Sequence, residues 1–264
     1  MTMMFILIFL FGLIIGSFLN VVAFRHNTGR SVSGRSGCLS CGKTLGPLEL
    51  VPVLSFLIQQ GRCRSCGVKL SWQYPLVELS TAMLFALIYW RLGWQIESLI
   101  IFWLAVCALM VITVYDFKHK IIPDRFVFFF VLLGLVLPLA ESWREPSLLL
   151  WRLGGAVLGG LLTALPLLLL WVVSRGRWLG FGDVKLAFGI GLLLGVVGGL
   201  SALILSFWIG AGVGLLLIAW GKLRLWRRRK SYTMKSEIPF APFLILGFWL
   251  VFLFSINVLV FWQI

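Results

Sequence analysis

The chain has 264 residues, 61% of them hydrophobic and 12% charged, with a mean hydropathy of +1.04. A soluble domain carries about 25% charged residues, so this composition excludes an ordinary water-soluble globule and points to a helical membrane protein. A spanning β-barrel is excluded too, because its strands alternate apolar and polar residues whereas the apolar runs here are continuous.

The first apolar run, 3–24, has no basic stretch before it and no small-residue cleavage pattern after it, so it reads as a retained helix rather than a secretory leader. A long polar loop, 25–74, follows. Further apolar spans are predicted at 75–92, 97–116, 124–140, 149–173, 184–200, 201–221 and 239–262. The fold class is therefore an all-α polytopic membrane protein of about eight transmembrane helices. It divides into a first helix (1–24), a loop module (25–74) and a membrane domain (75–264). The sixth and seventh spans meet at Gly198, Gly199 and Leu200 with hardly any loop, so 184–221 is either a re-entrant pair or two short tilted helices.

The formal charge of +14 follows from the position of the basic residues. Of the 23 Lys and Arg, all but Arg91, Arg144 and Arg152 fall on one side. They lie in 25–74, at Lys118, Lys120 and Arg125, at Arg175, Arg177 and Lys185, and in the basic stretch 222–235. Lys and Arg accumulate in cytoplasmic loops, which puts 25–74 inside and both termini outside. Topology accounts for the charge; the partner it implies is the lipid bilayer, and no nucleic acid is expected.

Within the loop, Cys38-Leu39-Ser40-Cys41-Gly42 and Cys63-Arg64-Ser65-Cys66-Gly67 are two copies of one knuckle. Two residues between cysteines let both sulfurs converge on one ion, and the glycine after each pair permits the backbone to turn. Four thiolates make a closed tetrahedral zinc site of structural type, with no open position for catalysis. Four thiolates and Zn²⁺ sum to −2, which Arg35, Lys43, Arg62, Arg64 and Lys69 offset. A pair of disulfides or a redox relay is the rival reading, and a cytosolic loop disfavours stable disulfides. Zinc here folds a loop too small to build its own core. Cys107 lies mid-span and reads as a packing residue.

Only nine acidic residues are present, so their positions are informative. Asp116 ends the third span in Val114-Tyr115-Asp116-Phe117-Lys118, and Asp183 opens the sixth in Gly180-Phe181-Gly182-Asp183-Val184-Lys185. Both carboxylates are expected at the cytoplasmic membrane boundary, where an ionisable group is costly and usually functional. One reading is a pair of interfacial charges balanced by Lys118, Lys120 and Lys185. The other is an aspartic protease dyad, in which two carboxylates share one proton. Gly180 and Gly182 would leave room beside Asp183 for substrate backbone. Asp124 reads as a helix cap, Glu78 as a residue that orients substrate or cofactor or is merely solvated or paired, and His26 and His119 as interfacial.

In this series of motifs the chain resembles the type IV prepilin leader peptidases, membrane aspartic proteases of the GxGD type. The resemblance runs from Gly16-Ser17-Phe18-Leu19-Asn20-Val21-Val22 through both knuckles, Leu50 to Ser55, Gly61-Arg62-Cys63 and Tyr74 to Leu79. It continues through Asp116 to Asp124 and Gly180 to Lys185 to Ile238-Pro239-Phe240-Ala241-Pro242-Phe243. It implies catalytic aspartates at Asp116 and Asp183 in a protease domain over 75–264. The implied substrates are type IV prepilins or type II secretion pseudopilins, cut at the cytoplasmic face of the bacterial inner membrane. It also implies N-methylation of the new terminus with S-adenosylmethionine. Leu39, the segment His26-Asn27-Thr28 and Gln73 depart from the family pattern, all within or beside the loop. A zinc-bearing membrane adaptor and a cation-coupled transporter using the two aspartates are the alternative functions.

Overall fold

A computed structural model of the chain describes residues 2–29, 31, 33–143, 145–222 and 239–259. Arg30, Arg144, the basic positions from 224 to 235, Ile238 and the end of the last predicted span lie outside the described residues. The helices are α1 (Thr2–Arg25), α2 (Leu54–Ile58), α3 (Gln73–Leu92), α4 (Ile96–His119), α5 (Asp124–Ser142), α6 (Leu149–Ser174), α7 (Phe181–Lys222) and α8 (Ala241–Phe254). Two 3₁₀ turns, Pro47–Leu50 and Pro146–Leu148, complete the regular structure. All but α2 and α8 are long and apolar enough to cross a membrane, so the all-α polytopic architecture stands. The chain forms two compact units, Met1–Val114 and Tyr115–Ile264.

In the first unit α1 packs along α3. The contact is close because Gly16 carries no side chain: a Cβ there would stand 2.7 Å from Glu78 Cα. Ser17 and Asn20 on the same turn of α1 meet polar groups of α3, which accounts for the Gly-Ser-x-x-Asn pattern. Phe85 and Trp103 stack at 5.0 Å and join α3 to α4.

In the second unit α5, α6 and α8 pack against α7. Over its 42 residues α7 is broken at Gly195, whose φ of 70° and ψ of −173° leave the helical region. Along a straight helix residues 191 and 199 would lie about 12 Å apart. Here a Cβ on Gly199 would stand 3.0 Å from Gly191 Cα, so the second limb turns back against the first. The break therefore falls at Gly195 and not at the expected junction of Gly198, Gly199 and Leu200. The reason is packing: Gly199 is pressed against Thr163 of α6, where no side chain fits, while Gly195 has open space and the left-handed backbone that L residues disfavour.

The last span is shorter than predicted. Helix α8 has 14 residues and ends where Ser255 takes a left-handed conformation (φ 52°). Ser255 and Asn257 carry side chains that compete for backbone hydrogen bonds and favour helix ends. The chain then folds back, and Val258 N–H donates to Ser201 Oγ at 3.2 Å.

Candidate functional site

The four-residue linker 120–123 and the loop 175–180 bring several helix ends together within the second unit. Asp116 lies in the last turn of α4 and Asp183 in the first turn of α7, and both are buried, at 4% and 7% exposure. The two carboxyls are near enough that the charge of Asp116 acts on Asp183. The Gly180 amide bonds to the Asp183 carboxylate and the Ala241 amide to that of Asp116. Ala241 is the first residue of α8, where helical N–H groups have no partner within the helix. The Pro239-Phe240-Ala241-Pro242 segment thus supplies a donor to Asp116, a role hidden in the sequence because a backbone amide has no residue signature. Asp116 Oδ2 and Asp183 Oδ1 are buried and have no hydrogen-bond partner among the described residues.

The two glycines before Asp183 do different things. A Cβ on Gly180 would meet Asp183 Oδ2 at 3.5 Å and Gly182 N at 4.0 Å, both ordinary contacts. A Cβ on Gly182 would stand 2.8 Å from Ile122 Cβ, so this glycine admits the α4–α5 linker and leaves no open space. Lys185 Nζ bonds Asp124 Oδ1 at 2.6 Å and lies over the rings of Phe128 and Phe181, at 5.4 and 5.3 Å. Asp124 is therefore not a cap: Pro123 holds the N-cap position of α5, with no side-chain capping bond, and the carboxylate is spent on Lys185. His119 packs its ring on Tyr115 at 4.4 Å.

The cysteine knuckles of the first unit are near copies in three dimensions. Cys38 N–H donates to Lys43 O at 3.0 Å and Cys63 N–H to Val68 O at 2.8 Å; Gly42 and Gly67 both have φ of 70°. All five cysteines are free thiols. The sulfurs of Cys38, Cys41, Cys63 and Cys66 lie within 4.8 Å of one another, and Cys38 Sγ is 3.8 Å from Cys66 Sγ. Four sulfurs bound tetrahedrally at about 2.3 Å stand about 3.8 Å apart, so the cluster fits a metal ion of that kind. The amides of Cys41 and Ser40 draw the Cys38 thiol down to about 6, and those of Cys66 and Ser65 lower Cys63. For Cys66 the Val68 amide acts downward, but burial and the neighbouring cysteines outweigh it and push the thiol up to about 11. Such a mixture is what four thiols crowded around one point produce. The loop is pinned at its start by Arg25, which donates to the carbonyls of Ser31, Gly34 and Arg35 at 2.7, 2.9 and 3.0 Å.

Glu78 is 6% exposed and accepts the Val53 amide at 2.8 Å, with Ser17 as a second donor. Val53 has φ 61° and ψ −51°, the strained γ-turn conformation, rare for a β-branched residue, and Leu54 N–H closes the turn on Pro52 O at 2.6 Å. The carboxylate thus holds a strained turn at the base of the loop, the paired role among those expected for it. Beside it, Asn20 Nδ2 donates to Tyr74 O at 3.2 Å and Gln73 Nε2 to Asn20 Oδ1 at 3.3 Å.

Comparison with known proteins bears on both units. Residues 10–92 match the model of the bacterial peptidase A24 N-terminal domain, and residues 103–215 match that of the type IV leader peptidase family. A protein of Bacillus subtilis (strain 168) named prepilin leader peptidase/N-methyltransferase is 35% identical, covering 97% of this chain and 96% of that protein. Proteins of the same name from Pseudomonas putida and Pseudomonas aeruginosa are each 30% identical, covering 92% and 93% of this chain and 88% and 89% of their own lengths. No solved structure matches significantly.

Proposed function

The chain belongs to the type IV leader peptidase family, and from that premise we propose that it removes the leader from type IV prepilins or type II secretion pseudopilins using Asp116 and Asp183. What supports the reading is that two buried carboxyls stand at helix ends, near enough for the charge of one to act on the other, each with one amide donor and one oxygen that has no partner among the described residues. Two carboxyls in one site cannot both ionise cheaply, so the pair holds one proton between them. The ionised member takes a proton from a water as that water adds to the scissile carbonyl. The protonated member hydrogen-bonds the carbonyl oxygen, and the leaving amine departs with a proton from the pair. The amides of Gly180 and Ala241 fix the orientation of the two carboxylates. The pair titrates as a unit.

The cut belongs on the cytoplasmic face of the inner membrane. The excess of Lys and Arg on that side of the predicted spans favours this orientation, and it suits a substrate whose leader is cytosolic while its helix stays in the bilayer. We further assign Cys38, Cys41, Cys63 and Cys66 to one structural zinc ion that folds a cytosolic module over 25–74; the sulfur spacing supports this. The new N-terminus is then methylated, as the relatives' name suggests, and S-adenosylmethionine is the donor such a step would use.

Co-expression with a candidate prepilin tests the function. The expected result is a faster-migrating pilin whose N-terminal mass matches leader removal plus one methyl group. A full-length pilin overturns the peptidase reading, and a cut but unmethylated terminus overturns only the second step. The adaptor and transporter readings predict no cut at all.

A further inference from the structure

The short helix α2 carries an apolar face that neither the dyad nor the metal centre uses. Leu54, Leu57 and Ile58 occupy positions i, i+3 and i+4 and are 57%, 58% and 81% exposed. On the opposite side Phe56 is buried, its ring 4.9 Å from that of Trp72. Beside the exposed face runs an open groove of about 660 Å³ whose lining includes Leu48, Val51, Leu54 and Ile58, and Arg62 and Arg64 on either side of Cys63. Glu49, also in the lining, accepts the Gly46 amide at 2.8 Å.

Two tethers set the depth of α2. Trp72 immediately precedes the membrane helix α3, and Glu78, which holds the Val53 amide, lies five residues into it, about 7.5 Å along the axis. The helix therefore stands level with the start of α3, an apolar helix long enough to cross a membrane. Trp72 is itself 67% exposed there, and tryptophan collects at membrane–water interfaces.

We propose that α2 is an interfacial anchor that lies in the headgroup region of the inner leaflet. Leu54, Leu57 and Ile58 turn toward the acyl chains while Arg62 and Arg64 meet anionic phosphates. The occupant is a lipid surface rather than a soluble protein, because the tethers already hold the face at bilayer depth and its rim has the sign that anionic lipid attracts. Each arginine near such a surface strengthens attraction by about fivefold. The anchor keeps the cysteine loop lying on the membrane, with α2 as its foot.

The test uses the full chain in lipid nanodiscs, with Ile58 replaced by photoreactive benzoyl-phenylalanine and, as a reference, Leu10 of α1 replaced in the same way. After illumination, mass spectrometry should find lipid adducts at position 58 as at position 10. Their yield at position 58 should be severalfold higher with phosphatidylglycerol present than in phosphatidylcholine alone, and the Arg62→Gln/Arg64→Gln variant should lose that difference. Adducts at position 58 confined to protein, or absent while position 10 labels lipid, overturn the anchor. Equal lipid yields in the two membranes overturn the role of the arginines.

Discussion

Lys185, on the turn of α7 that carries Asp183, reaches Asp124 at the first position of α5 and binds it at 2.6 Å. With the contact between Gly182 and Ile122, this pair ties the α4–α5 linker to the start of α7. Asp116 stands just before that linker, so both proposed catalytic residues are positioned by the same junction.

The pair itself contributes little stability. Its side chains are 24% and 59% exposed, so solvent screens the charges. Lys185→Met and Asp124→Asn should each cost less than about 1 kcal/mol, and the double variant no more than the worse single one. A double-mutant cycle on thermal unfolding in detergent checks this.

The two glycines before Asp183 should respond differently to a methyl group. Gly182→Ala drives a Cβ into Ile122 and should destabilise the second unit by about 1–3 kcal/mol, with partial recovery in Gly182→Ala/Ile122→Ala. Gly180→Ala meets only ordinary contact and should leave the melting temperature unchanged. Melting curves of the three variants separate these outcomes.

Glu78 is expected to act through the Val53 turn rather than through its charge. Glu78→Ala leaves the half-buried Val53 amide without its acceptor, at about 1 kcal/mol, and should open the loop to protease at Arg62 and Arg64. Glu78→Gln keeps a carbonyl acceptor and should retain both protease resistance and processing. Limited proteolysis of the two variants, read beside prepilin cleavage, makes the comparison.

Binding of the proposed zinc ion should release protons and tighten as pH rises. The Cys66 thiol, pushed up to about 11, is protonated at neutral pH and must give up its proton to bind metal. The Cys38 thiol, drawn down to about 6, is already mostly thiolate and takes up its proton only as pH falls through that value. Titrating zinc into chelator-treated full chain, in buffers of different ionisation enthalpy at pH 7, should show at least one proton released per ion. Affinity should fall steeply below pH 6.

Much of this was legible in the sequence because it rests on local spacing. Two cysteines separated by two residues and followed by glycine can form one knuckle wherever they occur, and the helix-end positions of Asp116 and Asp183 follow from where apolar runs stop. Other features rest on contacts distant in the chain. Among Gly195, Gly198 and Gly199 nothing local says which one breaks α7; Thr163 on α6 decides by occupying the space beside Gly199. Asp124 has the composition of a helix cap, and only the approach of Lys185 from 61 positions away turns it into an ion pair. The Ala241 amide carries no signature in the sequence at all.

The central claim is that Asp116 and Asp183 cut as a pair, and the most direct measurement is cleavage of a co-reconstituted prepilin by Asp116→Asn and Asp183→Asn. Both variants should insert, bind zinc and melt like the parent while leader removal falls by about 100-fold or more. Cleavage at the parental rate by either variant would contradict the account.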